Sequence, residues 1–209
     1  MNGYLDDLII KLKYHRLIPG CKINRKEYMK KIAIFIAEGF EEVEAVTPAD
    51  FLRRSGVEVI LAGVTGKRIS GAHGIEITCD VEVSRLTGDL DGVVIPGGMP
   101  GASNIASDLA SMKIIQAAME NGALVGAICA APTVVLGMNG LIEGKKFTCY
   151  PGFENRFEGS FFSEDRVVVD GNLITSRGPG SAAEFSEELI EYLCGREARD
   201  KIHKGTIQK

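Results

Sequence analysis

Residues 122–136, GALVGAICAAPTVVL, constrain the fold more than any other stretch of the chain. Ala123, Leu124, Val125, Gly126, Ala127 and Ile128 make a small, apolar run suited to a buried strand, and the run ends at Cys129. Ala130 and Ala131 lead into Pro132, which suits a first helical turn because its missing N–H is unpaired there anyway. A strand that feeds a helix through one sharp residue is how α/β folds present a nucleophile. The small side chains of Gly126, Ala127, Ala130 and Ala131 fit that cramped bend. A helix start beneath the thiol places unpaired amides and the positive end of a dipole beside the anion. A buried structural cysteine fits the same run, since free cysteine is among the most buried residue types.

The rest of the chain alternates strand and helix around this unit. Residues 32–37 are a continuous apolar run, as in a parallel strand covered on both faces. Residues 40–55 read as a helix with a kink at Pro48, ended by Gly56, and 57–62 as the second strand. Residues 68–78 read as a short antiparallel excursion around Gly71 and Gly74. A third buried strand at 91–96 runs into the glycine-rich turn Gly97-Gly98-Met99-Pro100-Gly101. A helix over 107–121 precedes the 123–128 strand. Strands at 146–150 and 166–176, the latter turning at Asp170-Gly171, are expected to complete the sheet, and 180–195 is a closing amphipathic helix. This order predicts a mostly parallel sheet with helices on both faces. Ligand sites in such folds lie at the carboxyl ends of strands, where Cys129 and Gly97-Gly98 both fall.

A chain of 209 residues with 45% hydrophobic residues can bury a sizeable core in one domain. A net charge of −4 and a pI near 5.5 offer nucleic acid or an anionic membrane no basic surface. No apolar run approaches the roughly 20 residues of a membrane helix. Residues 1–28 carry charges throughout and lack a signal-peptide core, so a cytoplasmic location is expected. Within them Leu5, Leu8, Ile9 and Leu12 form one short amphipathic face before Pro19-Gly20. Met29-Lys30-Lys31 then opens a strand as a natural start would. Residues 29–209 are therefore expected as the single domain, with 1–28 an N-terminal extension: a start-site artefact, or a short, loosely docked helix. The 5 cysteines (Cys21, Cys79, Cys129, Cys149, Cys194) are scattered without a C-x-x-C pair, against a disulfide scaffold or zinc site. The 3 histidines (His15, His73, His203) are not spaced as ligands on one helix face, so neither metal nor cofactor is expected.

Glu38, Glu41, Glu42 and Glu44 follow the first strand. Glu41 and Glu42 read as solvated charge at a helix start. Glu44, set among Val43, Ala45 and Val46, is the one expected to point inward, where it would be protonated by burial or share a proton with the thiolate. Gly97 and Gly98 offer amides for an oxyanion, or make only a turn; the Ala130 amide is a second donor. Cys149 reads better as a buried strand cysteine than as a resolving thiol. His73, between Ala72 and Gly74, reads better as a turn residue than as a base.

Four segments, AEGFEEVEAVTPADFLRRSG, VVIPGGMPGASN, GAICAAPTVVL and TSRGPGSAAEF, together resemble the ThiJ/PfpI family of the class I glutamine amidotransferase-like superfamily. The resemblance runs from residue 31 to about 194 and is nearest to the branch of the parkinsonism-associated deglycase and its bacterial relatives. It implies a flavodoxin-like three-layer α/β sandwich, a homodimer, and a nucleophile-elbow cysteine of depressed pKa at Cys129. It further implies a hydrogen bond from that cysteine to a protonated Glu44, with Gly98 and Ala130 as oxyanion donors. Arg54, the loop 176–180 with Pro179, and the position of His73 are implied to line a pocket near the dimer interface. Two positions depart from the family pattern. Tyr150 stands where many members place a histidine near the cysteine, and a tyrosine is a poor base at neutral pH. Ala130, not histidine, follows the cysteine, which argues against a Cys-His peptidase or an amidotransferase triad.

The expected activity is thus a cofactor-independent glyoxalase or deglycase acting on methylglyoxal, glyoxal or their early adducts with amines and thiols. A redox-sensing or holdase-type stress protein that uses oxidation of Cys129 draws on the same residues. Thiamine-precursor metabolism has only the family's name behind it, since no residue here supports phosphoryl or thiazole chemistry.

Overall fold

The first strand, β1 (Lys31–Ile36), is wrapped on both faces in the computed structural model, which describes residues 29–209. Ile32, Ile34 and Ile36 pack with Ala45 and Leu52 of helix α1 (Glu42–Arg54) and with Phe185 and Leu189 of a later helix. Ala33 and Phe35 face the opposite cluster, which holds Ile105, Ile115 and Ala118. Each fully buried Ile or Phe contributes about 1.5–3 kcal/mol of transfer free energy, so a strand buried on two sides anchors both layers. Expectations about residues 1–28 lie outside the described residues.

The elements after α1 are β2 (Glu58–Gly63), β3 (Arg68–Ser70), β4 (Glu76–Thr78), β5 (Val81–Glu82) and β6 (Gly92–Ile95). Helices α2 (Gly101–Ser107) and α3 (Leu109–Glu120) lead to β7 (Leu124–Ile128). Then come β8 (Lys146–Phe147), β9 (Phe161–Phe162), β10 (Val167–Asp170), β11 (Leu173–Ser176), α4 (Ala182–Cys194) and α5 (Arg196–Gly205). The main sheet has the order β10-β11-β7-β6-β1-β2-β5, and only the β10–β11 pair is antiparallel. This is the flavodoxin-like three-layer α/β sandwich expected, with β3 and β4 as the antiparallel excursion.

Four local features go beyond or against the expectations. The helix expected over 107–121 is α3, shorter by two residues at its start and one at its end. Helix α2 before it was not expected, and Asp108 between them leaves helical geometry, its carboxylate capping α3 by accepting from the Ser111 N–H at 2.7 Å. Strand 146–150 does not join the main sheet. Its first residues pair with β9, and the Thr148 N–H is taken by the Thr175 hydroxyl at 2.9 Å instead of a ladder carbonyl. The segment after Cys129 is helical, as its sequence suggested, but irregular: a π stretch (Pro132–Leu136) runs directly into a 3₁₀ turn (Gly137–Asn139). Helix α5, amphipathic through Ile202, was not anticipated.

Candidate active site

Four strands of the parallel sheet end beside one another: β1 before Glu38, β6 before Gly97, β7 at Cys129 and β11 at Ser176. Cys129 has φ +65°, a left-handed backbone that is costly for a residue with a Cβ. Two hydrogen bonds impose it. The Cys129 N–H donates to the Ser176 carbonyl, and the Cys129 carbonyl accepts from the Tyr150 N–H, both at 2.9 Å. The bend at Cys129 is therefore built from β7 and fixed by β11 and by the loop after β8.

Gly97 makes the crowding possible. A Cβ there would lie 2.7 Å from Cys129 Cβ, 2.8 Å from Glu44 Oε2 and 3.0 Å from the Ala130 nitrogen. The Gly97 N–H donates to Glu44 Oε2 at 2.8 Å. Gly98, at φ +84°, packs so closely on Gly39 and Glu41 that no side chain fits. Glu44 reaches this spot from the first turn of α1 and is fully buried, as its apolar neighbours in sequence implied. Its other oxygen, Oε1, is buried without a well-aligned hydrogen-bond partner.

Burial, above all, pushes the Glu44 carboxyl from its ordinary 4.5 up to about 7, against the Gly97 and Cys129 hydrogen bonds that pull it down, and the Glu41 charge adds to the rise. The thiol is pushed up too, first by burial and then by the Glu44 carboxylate; the Gly98 and Ala130 amides act in the opposite sense without offsetting them. The depressed thiol implied by the resemblance is therefore corrected for the state in which Glu44 is ionised. Two negative charges cannot share this enclosure, so the pair titrates as a unit. A thiolate is accommodated when Glu44 carries the remaining proton. Gly98 and Ala130, expected as oxyanion donors, both direct their amides at the sulfur.

The other expected residues divide. Tyr150 lies at the rim, where its ring runs alongside Gly178. Pro179 is exposed at the start of a 3₁₀ turn (Pro179–Ser181) whose neighbours are knotted together by the buried hydroxyls of Ser176 and Ser181, 2.7 Å apart. Nothing in the sequence pattern had singled out that serine pair. Arg54 is not brought to the thiol. It sits at the far end of α1, about 15 Å along the axis from Glu44 at 1.5 Å per residue, and pairs with Asp50 at 2.6 Å.

His73 projects from the β3–β4 turn to Glu42, with Nδ1 2.9 Å from Oε2. Glu42, expected as solvated charge, is instead buried and accepts from the His73 and Ile75 N–H groups at 2.8 and 3.3 Å. Burial pushes its carboxyl up, but these hydrogen bonds and the one from the His73 ring outweigh it and leave it below the usual value. The Glu42 hydrogen bond, with the charges of Glu41 and Glu42, raises His73. Donor atoms of Glu41, Glu42 and His73 lie within 4.8 Å of one another, a ligand-capable group that histidine spacing did not anticipate. Cys149 is fully buried, in keeping with a structural role. A separate cavity of about 620 Å³, lined by Leu90, Val93 and Ile114 among others, opens at the opposite end of the sheet.

The model of the DJ-1/PfpI family matches residues 30–192. Protein dj-1beta of Drosophila melanogaster is 36% identical over 182 residues, covering 85% of this chain and 97% of that one. The glutathione-independent glyoxalase DJR-1.2 of Caenorhabditis elegans is 35% identical over 172 residues, covering 80% and 90%. The chain spans only 46% of the length of two Arabidopsis thaliana relatives, Protein DJ-1 homologs A and B. Among solved structures, oxidized Toxoplasma gondii DJ-1 superposes with a TM-score of 0.83 at 37% identity, covering 85% of this chain and 98% of that one.

Proposed function

The chain belongs to the DJ-1/PfpI family, and from that premise we propose that it is a cysteine-dependent glyoxalase or deglycase for small α-oxoaldehydes and their early adducts with amines. One observation carries the reading: a fully buried carboxyl with an unpartnered oxygen lies against a cysteine held in a left-handed bend. That pair supplies a nucleophile and a proton carrier in one enclosure. The C. elegans relative named as a glutathione-independent glyoxalase supports the class of reaction.

The Cys129 thiolate adds to the aldehyde carbon of methylglyoxal, forming an S–C bond while the carbonyl π electrons pass to oxygen. The Gly98 and Ala130 amides hold the developing alkoxide. Glu44 protonates that oxygen, then takes the proton from the former aldehyde carbon and returns it to the neighbouring one. The result is a lactoyl thioester, and water cleaves it to lactate and regenerates the thiol. With a glycated amine, Glu44 protonates the leaving nitrogen instead. Tyr150 lines the entrance. No step uses a group from outside the chain and its substrate other than water.

Incubation of the full chain with methylglyoxal should release lactate. Cys129→Ser should abolish release with the circular dichroism spectrum unchanged, and lactate formed at the wild-type rate by that variant contradicts the assignment. A second reading, redox sensing, has its own support: a solved relative is recorded in an oxidized form, and a protonated Glu44 would donate a hydrogen bond to a Cys129 sulfinate. Rapid conversion of Cys129 to sulfinate by peroxide, with no lactate formed, favours that reading over the first.

A further inference from the structure

We propose that Tyr150 and Phe153 form an aromatic subsite beside Cys129 that selects α-oxoaldehydes whose second substituent is a planar ring, an inference that rests on the glyoxalase reading and narrows its substrate class. Tyr150 is tied to the nucleophile through its own backbone, whose N–H donates to the Cys129 carbonyl at 2.9 Å. Its ring packs against buried Gly178, where an added methyl group would lie 3.3 Å from Tyr150 Cδ2 and 3.9 Å from Glu44 Oε1. The ring and the buried carboxyl therefore lie against the same glycine. Tyr150 is also 46% exposed, so much of that ring is open to a ligand.

Phe153 stands edge-to-face against Tyr150, with ring centroids 6.3 Å apart and planes at 82°. Arg156 lies over the Phe153 ring, 3.8 Å from its centroid, and so covers one face and limits its rotation. The opposite flank is different in kind: Glu41, Glu42 and His73 are polar and engaged with one another. An α-oxoaldehyde held with its aldehyde carbon at the thiol carries its second substituent on the next carbon. A methyl group there reaches little of the aromatic wall, whereas a phenyl ring meets it. Edge-to-face and offset contacts of this kind correspond to about a three- to tenfold gain. The chemical step is unchanged: the S–H adds across the aldehyde, forming S–C and moving the proton to oxygen, with no oxidant or reductant.

The test compares kcat/KM for phenylglyoxal and methylglyoxal in the full chain and in Tyr150→Leu, Phe153→Leu and Tyr150→Phe. The phenyl-to-methyl ratio should fall about three- to tenfold in both leucine variants and persist in Tyr150→Phe, which keeps the ring and loses only the hydroxyl. A ratio unchanged by leucine, or lost equally in Tyr150→Phe, overturns the proposal. Wild-type protein alone supplies a second readout, independent of turnover and of variant folding. Cys129 is alkylated by N-phenyliodoacetamide and by iodoacetamide, sulfur displacing iodide, with each rate divided by that of N-acetylcysteine. An aryl excess of about three- to tenfold is expected, and a quotient near unity overturns the subsite. An aryl excess without turnover of either dicarbonyl sinks the glyoxalase reading and leaves the subsite standing. Turnover of methylglyoxal with no aryl preference in either assay does the reverse.

Discussion

Cys129 and Glu44 are each unfavourable alone. A non-glycine residue in a left-handed conformation costs on the order of 1–3 kcal/mol, and a fully buried carboxyl must give up its charge or find a partner. Glu44 finds one amide, Gly97, and otherwise keeps a proton up to about pH 7. The unfolded chain releases that proton near 4.5, whereas the folded chain holds it to about 7. Below both values the folded state suffers no penalty; between them stability is lost as pH rises, and above them the loss is complete. Glu44→Gln keeps the amide hydrogen bond and cannot titrate. It should therefore gain stability over wild type at pH 8 by roughly 3 kcal/mol and gain far less at pH 4. Thermal unfolding at the two pH values measures this, and an equal difference at both contradicts the placement of an ionisable, buried carboxyl at 44.

At the scale of elements, α1 does two jobs. Its first turn carries Glu44 inward, while its outer face leaves Val43 and Val46 exposed next to the β3–β4 hairpin, where Ile75 is exposed too. Val46, Ala49, Leu61 and Ile77 line a shallow groove of about 260 Å³ on this side. Single exposed apolar residues need no explanation, but several on one face mark an interaction surface. This face is our proposal for the homodimer contact. The full chain of 22.5 kDa should sediment at twice that mass, and Val46→Asp should shift it to the single-chain mass. Wild type sedimenting as one chain, or Val46→Asp still sedimenting as two, contradicts this assignment. The same elements show what the sequence made legible. Glu44 could be singled out because apolar residues flank it on a helix; Glu42 could not, because its burial comes from a hairpin some 30 residues away that closes over it through His73 and Ile75. Arg54 shares a motif with Glu44, yet helical rise carries it to the other end of the element.

For the molecule as a whole, the strand–helix alternation and the small-residue bend at Cys129 were enough to indicate the sheet, its parallel sense and the edge at which the site forms. What they left open depends on groups meeting from distant segments. β8 leaves the main sheet because Thr175 takes the Thr148 amide. The Ser176–Ser181 pair and the Tyr150–Phe153 wall arise only once β11 and the 150–163 loop fold over the strand ends. The charge state of the thiol is of the same kind, since it is set by burial and by a carboxyl 85 positions earlier in the chain. Described residues contain no helix long and apolar enough to cross a membrane. The central claim is that thiol and carboxyl share a single proton, and the most direct measurement is the rate of Cys129 alkylation from roughly pH 5 to 10 in wild type and in Glu44→Gln. The account predicts a wild-type rate that rises only above the pH of a free cysteine, because burial and the ionised Glu44 hold the thiol up, and a variant, relieved of that charge, whose rise comes at lower pH. Superimposable curves, or a wild-type rise at the pH of a free cysteine, would contradict it.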